Sequence, residues 1–473
     1  MNKLSGWLEK TLMPIAAVIG GQRHLGALRD GFIATLGVNM VGAMAVLFNN
    51  IIFTSGSLAG KKLNESAGYA ESVQPIFDKY VIPVMGRVWW ATLAIIAIFL
   101  VVSISYSLAK SYEVDGIAAA ITGIASYFAI LAEAGPRVGG LTISEAGTVA
   151  FLDANGAVVE VAAEALNGAT QATIGTWGQI PVGNFGSTAM FASIIVAMVG
   201  TQLFVAITKA GWTFKMPEQV PPAVSKAFSA IIPSTITILL FSIIGVVFTN
   251  FVEIPFLDIV NKFIQEPLVK LGQSPITYIG LVMFSQLLWF FGLHGSNIID
   301  PAMNSMYRPP LLENMEAFQN GLGQEAMQTL TRNFVDVYAQ PGGSGATLAL
   351  LVAIFFFAKR QEQRELFKLA IAPGLFQINE PVIFGMPLVL NPIMFIPFIF
   401  TPAICLTIAY VFTEIIPFAN KICVETPWTT PPILSAFLAT GGDIKAALLA
   451  AALFALSVLI YTPFIIASNR EEV

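Results

Sequence analysis

Residues 369–402 read LAIAPGLFQINEPVIFGMPLVLNPIMFIPFIFTP. The stretch is apolar, yet it places Pro373, Pro381, Pro387, Pro392 and Pro397 within one membrane-length window. Each proline removes a backbone donor and its ring collides with the preceding turn, so one straight helix is forbidden here. At membrane depth the workable alternative is a re-entrant hairpin or a broken helix lining a protected cavity. In the middle of this stretch stands Glu380, between Asn379 and Pro381. A carboxylate at that depth costs roughly 3 kcal/mol or more unless it is paired, wetted or in use. Glu380 is therefore a functional-site candidate.

The composition agrees with a chain in lipid. Of 473 residues, 56% are hydrophobic and 11% charged, with a mean hydropathy of +0.75; a soluble domain carries about 25% charged residues. The longest intervals free of Asp, Glu, Lys and Arg are 31–60, 88–109, 116–132, 165–208, 227–252, 271–299, 337–358, 381–413, 426–442 and 446–469. A span needs about 20 mostly apolar residues. The expected fold is an all-α integral membrane protein of about ten transmembrane helices, with re-entrant hairpins, interfacial amphipathic helices and a small extramembrane β-hairpin. The net charge of −5 carries no polybasic block, which excludes nucleic acid as a partner. The opening MNKLSGWLEK is charged and amphipathic and lacks the apolar core of a cleavable signal. Cys405 and Cys423 read as packing residues, with neither a disulfide framework nor a metal-ligand spacing around them.

Outward from the core stretch, residues 3–30 put Leu4, Trp7, Leu8, Leu12 and Ile15 at helical spacing beside charges, which predicts a helix in the membrane interface. Arg23, His24 and Arg29 precede the first apolar interval, and basic residues there favour a cytoplasmic N-terminus. His24 reads as a headgroup-level polar residue. A span is expected over 31–53, then a polar loop over 54–87. Further spans follow over 88–109 and 116–132. In 137–184, TVAFLDANGAVVEVA alternates β-favouring residues around Asn155-Gly156, a hairpin signal that belongs outside the bilayer. Spans at 185–208 and 227–250 flank a loop bearing Lys209, Lys215 and Lys226, which places that loop in the cytoplasm. Residues 251–270 form an amphipathic connector. The division is thus an N-terminal membrane half, 1–250, the connector 251–270, and a C-terminal half, 271–473. In the latter, 276–293 reads as a span or partial span, 304–336 as a polar section, 424–440 as a proline-broken segment and 446–467 as the last span.

Three clusters in the second half could carry chemistry. Trp289, His294 and Asn297 lie in LLWFFGLHGSNI, where Gly292 and Gly295 let the backbone bend close to a ligand. Asn379 and Glu380 form the second cluster, and Trp428 among Thr426, Thr429 and Thr430 the third. A tryptophan face suits the C–H face of a sugar ring, while carboxylate, imidazole and amide groups match its hydroxyls. Each member also has a plainer reading: a tryptophan at a segment end serves as a belt residue, and a lone histidine satisfies a neighbour. The combination points to a carbohydrate site.

HG in GLHGSNI, NEP in QINEPVIFGMPLVLNP, the later PWTTPP and the opening MPIAAVIGGQRHLGALRDGF resemble the membrane IIC component of bacterial sugar phosphotransferase systems, in the lactose, cellobiose and N,N′-diacetylchitobiose family. Residues 54–87 and 137–184 match nothing in that family. The resemblance implies ten transmembrane helices with two re-entrant hairpins, a homodimer built through the N-terminal half, and a sugar site in the C-terminal half. It also implies a bacterial inner-membrane location and inward transport coupled to phosphorylation of a sugar hydroxyl. The phosphate would come from a phosphocysteine on a separate IIB protein, because no IIB-like section is recognised and neither cysteine has a phosphoryl-acceptor setting. The motif matches carry the family's sugar-binding His onto His294 and its essential Glu onto Glu380, with Asn379 beside it; Trp289, Asn297 and Trp428 complete the expected substrate-binding set.

The resulting expectation is a permease for a β-linked disaccharide of the cellobiose or diacetylchitobiose type, acting with phosphorylated IIB and needing no cofactor or metal. Glu380 would accept the hydrogen of the hydroxyl to be phosphorylated and His294 would hold that hydroxyl in place. The alternative is a proton-coupled secondary sugar transporter in which Glu380 carries the proton. An intramembrane hydrolase is disfavoured by the lack of an HExxH or GxSxG pattern.

Overall fold

The computed structural model describes residues 21–131, four strand backbones between 137 and 174, and 182–217, 219–252, 254–386 and 388–469. The interfacial helix expected over 3–30 falls mostly on 1–20, outside the described residues. Helix α1, Arg23–Phe48, starts where the Gln22 side chain accepts from the Leu25 N–H at 2.7 Å. Then come α2 (Ile96–Ser111), α3 (Gly116–Ile130), α4 (Met190–Lys209) and α5 (Pro222–Val247). The second half holds α6 (Pro275–Phe290), α7 (Gly295–Gln319), α8 (Thr347–Phe357), α9 (Gln361–Leu375), the one-turn α10 (Glu380–Gly385), α11 (Phe395–Tyr410), α12 (Leu434–Ala439) and α13 (Ile444–Ser468).

Among the described residues, six helical stretches are long and apolar enough to cross a membrane, and α3, α6 and α8 are shorter apolar helices. Together they occupy nine of the ten charge-free intervals. The tenth, 426–442, holds only the six-residue α12, because Pro427, Pro431 and Pro432 prevent an earlier start.

The expected loop over 54–87 is helical instead. Residues 54–87 contain Leu58–Leu63, Ala67–Ser72 and Ile82–Trp90, and the helical run Ala67–Ser111 carries on into α2. The polar section from 304 is helical up to Gln319, and α7 buries Asn304, Arg308 and Asn314 inside the protein. The hairpin forms as read, β2 (Thr148–Leu152) pairing antiparallel with β3 (Val158–Ala162), although its turn residues 153–157 lie outside the description. A second pair, β1 (Arg137–Gly140) with β4 (Gln171–Ile174), encloses it and was not anticipated. The connector 251–270 is helical over Phe256–Val260 and Glu266–Gly272.

Small residues bring helices together where lipid gives no hydrophobic drive between them. A Cβ on Gly31 would lie 2.5 Å from Ile104, and one on Gly123 2.5 Å from Ser105, so α1 and α3 approach α2 closely at these points. One apolar cluster combines Phe32 and Ile104 with Tyr278, Tyr307, Leu406 and Leu453, and therefore spans both halves. A second cluster, including Trp289, Leu350, Phe398 and Tyr461, belongs to the C-terminal half alone.

Candidate functional site

Re-entry of the chain at residue 380 is what builds the site. The segment 376–379 leaves α9 and turns at Gln377, whose φ of +68° is unusual for a residue with a side chain. Gln377 is held there by its own side chain: Oε1 accepts from the N–H groups of Gly342 and Gly343, and Nε2 donates to Thr430 O at 3.4 Å. Asn379 is buried and donates to Ser344 O at 3.1 Å. Glu380 then opens α10, followed by Pro381 in the first turn. An acidic residue in a helix's first turn is stabilised by the N-terminal end of the macrodipole. Glu380 remains exposed, toward the cavity.

The glycine loop 341–346, PGGSGA, crosses directly against this turn. Gly343 has φ +94°, and a Cβ there would meet Gln377 O at 2.7 Å and Asn379 Cγ at 2.9 Å. Gly345, at φ +77°, lies with its missing Cβ 2.3 Å from the Phe398 ring, while its carbonyl accepts from the Tyr461 hydroxyl at 2.5 Å. Only glycine fits either position.

Facing Glu380 across the cavity is the turn between α6 and α7. Gly292 takes φ +78° and lets the chain reverse. His294 caps α7, its Nδ1 accepting from the Asn297 N–H at 3.3 Å, and is close enough to Glu380 to feel its charge. The buried Trp289 indole packs on the imidazole with ring centroids 4.2 Å apart. Its Nε1 donates to Ser296 Oγ at 3.2 Å, and Ser296 shares a hydrogen bond of 3.1 Å with Ser344. A single chain of contacts thus links Trp289, Ser296, Ser344 and Asn379, fixing the frame around His294 and Glu380.

The cavity measures about 450 Å³, within the roughly 300–1,000 Å³ range of small-molecule sites. All six residues singled out from the sequence line it: Trp289, His294, Asn297, Asn379, Glu380 and Trp428. Trp428 is 52% exposed, so it offers an open ring face, whereas Trp289 at 4% serves His294 from behind. His24 lies elsewhere, on an apolar groove of α4. Phe32, Ile33, Leu36 and Met40 of α1 form the apolar wall.

A second group of polar residues was not found from the sequence. Arg308 Nη2 donates to both carboxylate oxygens of Glu425 at 2.9 Å, with both side chains 5% exposed. Arg332 bridges Asp300 and Asp336 at 3.2 Å each. Asn333 donates to Thr426 O at 2.9 Å, tying this wall to the segment that carries Trp428. Two guanidiniums face three carboxylates, each held against an opposite charge, and the wall presents fixed donors and acceptors suited to a polyol. The available signal is the retention of Arg308, Arg332, Asp300, Asp336 and Glu425 in so apolar a chain, hidden because a polar section over 304–336 names no partner for any of them.

The family model for the phosphotransferase system EIIC component matches residues 29–402. The chain is 31% identical to the cellobiose-specific EIIC component of Lactococcus lactis subsp. lactis, covering 100% of this chain and 99% of that protein. It is 35% identical to the lichenan permease IIC component of Bacillus subtilis, over 98% and 93% of the two chains. The lactose-specific EIICB component of Staphylococcus haemolyticus is 27% identical over 98% of this chain and 70% of that longer one. Among solved structures, the transporter ChbC, the IIC component from the N,N′-diacetylchitobiose-specific phosphotransferase system, superposes with a TM-score of 0.82 at 31% identity over 98% of each chain.

Proposed function

The chain belongs to the phosphotransferase system EIIC family, multi-pass membrane sugar permeases that act with a IIB component, and we propose that its substrate is a β-linked disaccharide of the cellobiose or diacetylchitobiose type, moved inward and presented for phosphorylation. The observation carrying this reading is the convergence of His294, Asn379 and Glu380 with an open tryptophan face, Trp428, on one cavity of about 450 Å³. The specificities named for its relatives, cellobiose, lichenan and diacetylchitobiose, favour a β-glucoside or its N-acetyl counterpart.

In this mechanism one ring stacks on Trp428 while its reacting hydroxyl lies between His294 and Glu380. Glu380 removes the hydroxyl proton as the oxygen attacks the phosphorus of phospho-IIB, and His294, steadied by Trp289, orients the same oxygen. The Arg308–Glu425 and Arg332–Asp300–Asp336 wall supplies hydrogen bonds to the remaining hydroxyls.

The cytoplasmic side is assigned by charge. Arg23 at the start of α1 lies 4.7 Å from the Tyr112 ring, just past α2, and Lys209 at the end of α4 lies 5.2 Å from the same ring. Three helix ends with their cations meet on one face, which the positive-inside bias places in the cytoplasm. Transport would move residues 271–473 against 1–250, alternating access to the cavity. A homodimer through the N-terminal half belongs to the same reading; Leu239, Ile243 and Val246 form an exposed apolar stripe on α5 for it.

The test is Glu380→Gln, an isosteric change that removes the base. Phosphoryl transfer from phospho-IIB to bound sugar should fall by about 10²-fold or more. Normal phosphorylation by that variant refutes the base role.

A further inference from the structure

A smaller cavity of about 210 Å³ shares His294 and Asn297 with the sugar cavity. Its remaining lining comes from Leu25, Gly26 and Arg29 of α1 and from Ile298 and Pro301 of α7. The two cavities follow each other along one face of α1: Leu25 and Arg29 belong to the smaller, Phe32, Leu36 and Met40 to the larger, in steps of four, three, four and four residues. At 1.5 Å of rise per residue the smaller cavity lies roughly 10 Å nearer the start of α1. That is the end where Arg23 and Lys209 gather on Tyr112. His294 and Asn297 are the partition between an inner sugar chamber and an antechamber on the charged face.

We propose that this antechamber is the approach path of the phosphoryl donor, and that Arg29 binds the incoming phosphoryl group. The inference rests on the group-translocation reading given above. A sugar filling the larger cavity blocks approach from that side, while the shared partition is formed by the very histidine that faces Glu380. The antechamber is otherwise lined by apolar residues and glycine, and Arg29 is its cation. A guanidinium suits the task, because its planar fork donates two parallel hydrogen bonds to phosphate oxygens. Arg29 is paired with its neighbour Asp30, Nη2 and Nε donating to one carboxylate oxygen at 2.8 and 2.9 Å. Both side chains are partly open, 35% and 50% exposed, so the guanidinium can exchange this partner for a dianion. In the step itself the sugar oxygen forms a bond to phosphorus as the sulfur–phosphorus bond of the donor phosphocysteine breaks. The thiolate leaves on the donor protein, and the hydroxyl proton passes to Glu380.

Two unrelated changes test the path. Arg29→Gln removes the cation. Gly26→Phe fills the chamber without a backbone penalty, because a Cβ on Gly26 meets nothing within 4 Å. The full-length protein in lipid nanodiscs is mixed with phosphorylated IIB and cellobiose or diacetylchitobiose, and single-turnover sugar-phosphate formation is followed beside equilibrium sugar binding. The expected result is a loss of about tenfold or more in transfer rate for both variants with sugar affinity changed by less than about twofold, partial activity in Arg29→Lys, and no loss in Asp30→Asn. Wild-type transfer rates in Arg29→Gln and Gly26→Phe overturn the proposal, and so does a parallel fall of sugar affinity and rate. Wild-type protein that yields no sugar phosphate from phospho-IIB removes the translocation reading itself, a failure visible before any variant is compared.

Discussion

Gly343→Ala is the sharpest probe of how the site is held. The new methyl group meets Gln377 O at 2.7 Å and Asn379 Cγ at 2.9 Å, and the first of these is backbone that no rotamer change can move. Ordinary contact needs about 3.4 Å or more, so the 377–379 turn must retreat by roughly 0.5–0.7 Å; overpacking of this kind costs about 1–3 kcal/mol. A side chain held at φ +94° adds roughly 1–2 kcal/mol. The strain, about 2–5 kcal/mol in all, falls on the Asn379–Ser344 hydrogen bond and on the start of α10, where Glu380 is carried. If about half of it, roughly 1–2.5 kcal/mol, is expressed as lost site geometry, sugar affinity drops by roughly 5- to 60-fold. The assay is equilibrium binding of cellobiose or diacetylchitobiose to purified protein, with Gly280→Ala as control, since a Cβ on Gly280 meets nothing within 4 Å and its backbone is helical. Wild-type affinity in Gly343→Ala would refute the argument that this loop sets the position of Asn379 and Glu380.

Further outcomes follow from the cavity walls. Arg308→Met leaves the Glu425 carboxylate buried without its partner and should destabilise the protein by about 3–5 kcal/mol, whereas Arg308→Met with Glu425→Leu should recover most of that loss; melting curves of the three forms decide it, and equal stability of single and double variants contradicts it. Trp428→Ala removes the open ring face and should weaken sugar binding by at least about tenfold, near 1.4 kcal/mol, with little change in melting temperature because the ring is half exposed. An unchanged affinity there removes Trp428 from the site.

The sequence was most legible where membrane physics leaves few options. The prolines forbade one straight helix over 369–402, and the chain is broken there: Pro381 lies in the first turn of α10 and Pro392 between α10 and α11, while Pro373 and Pro397 lie within α9 and α11. Glu380 stood out because an isolated carboxylate in lipid requires a reason, and the structure places it with the other five chosen residues around one cavity. Less legible was any charge that the fold neutralises at long range. Arg308 and Glu425 are 117 residues apart, and nothing local announces their pairing. Charge counting also mistook 54–87 for a loop, since short helices that keep Lys61, Lys62 and Glu71 exposed look like a solvated segment, and it gave 304–336 only as a polar section, where α7 turns Asn304, Arg308 and Asn314 inward. The content of the glycine loop 341–346 is a close backbone crossing at Gly343 and Gly345 that only contact with Gln377, Asn379 and Phe398 reveals.

The central claim is inward movement of a β-disaccharide coupled to its phosphorylation, and uptake into right-side-out vesicles tests it most directly. Labelled cellobiose, diacetylchitobiose and lactose are offered to vesicles containing the protein, with and without phosphorylated IIB inside, and the internal product is analysed for phosphate. The account predicts accumulation of a phosphorylated β-disaccharide that requires phospho-IIB. Accumulation of unmodified sugar driven by a proton gradient, independent of phospho-IIB, would contradict it.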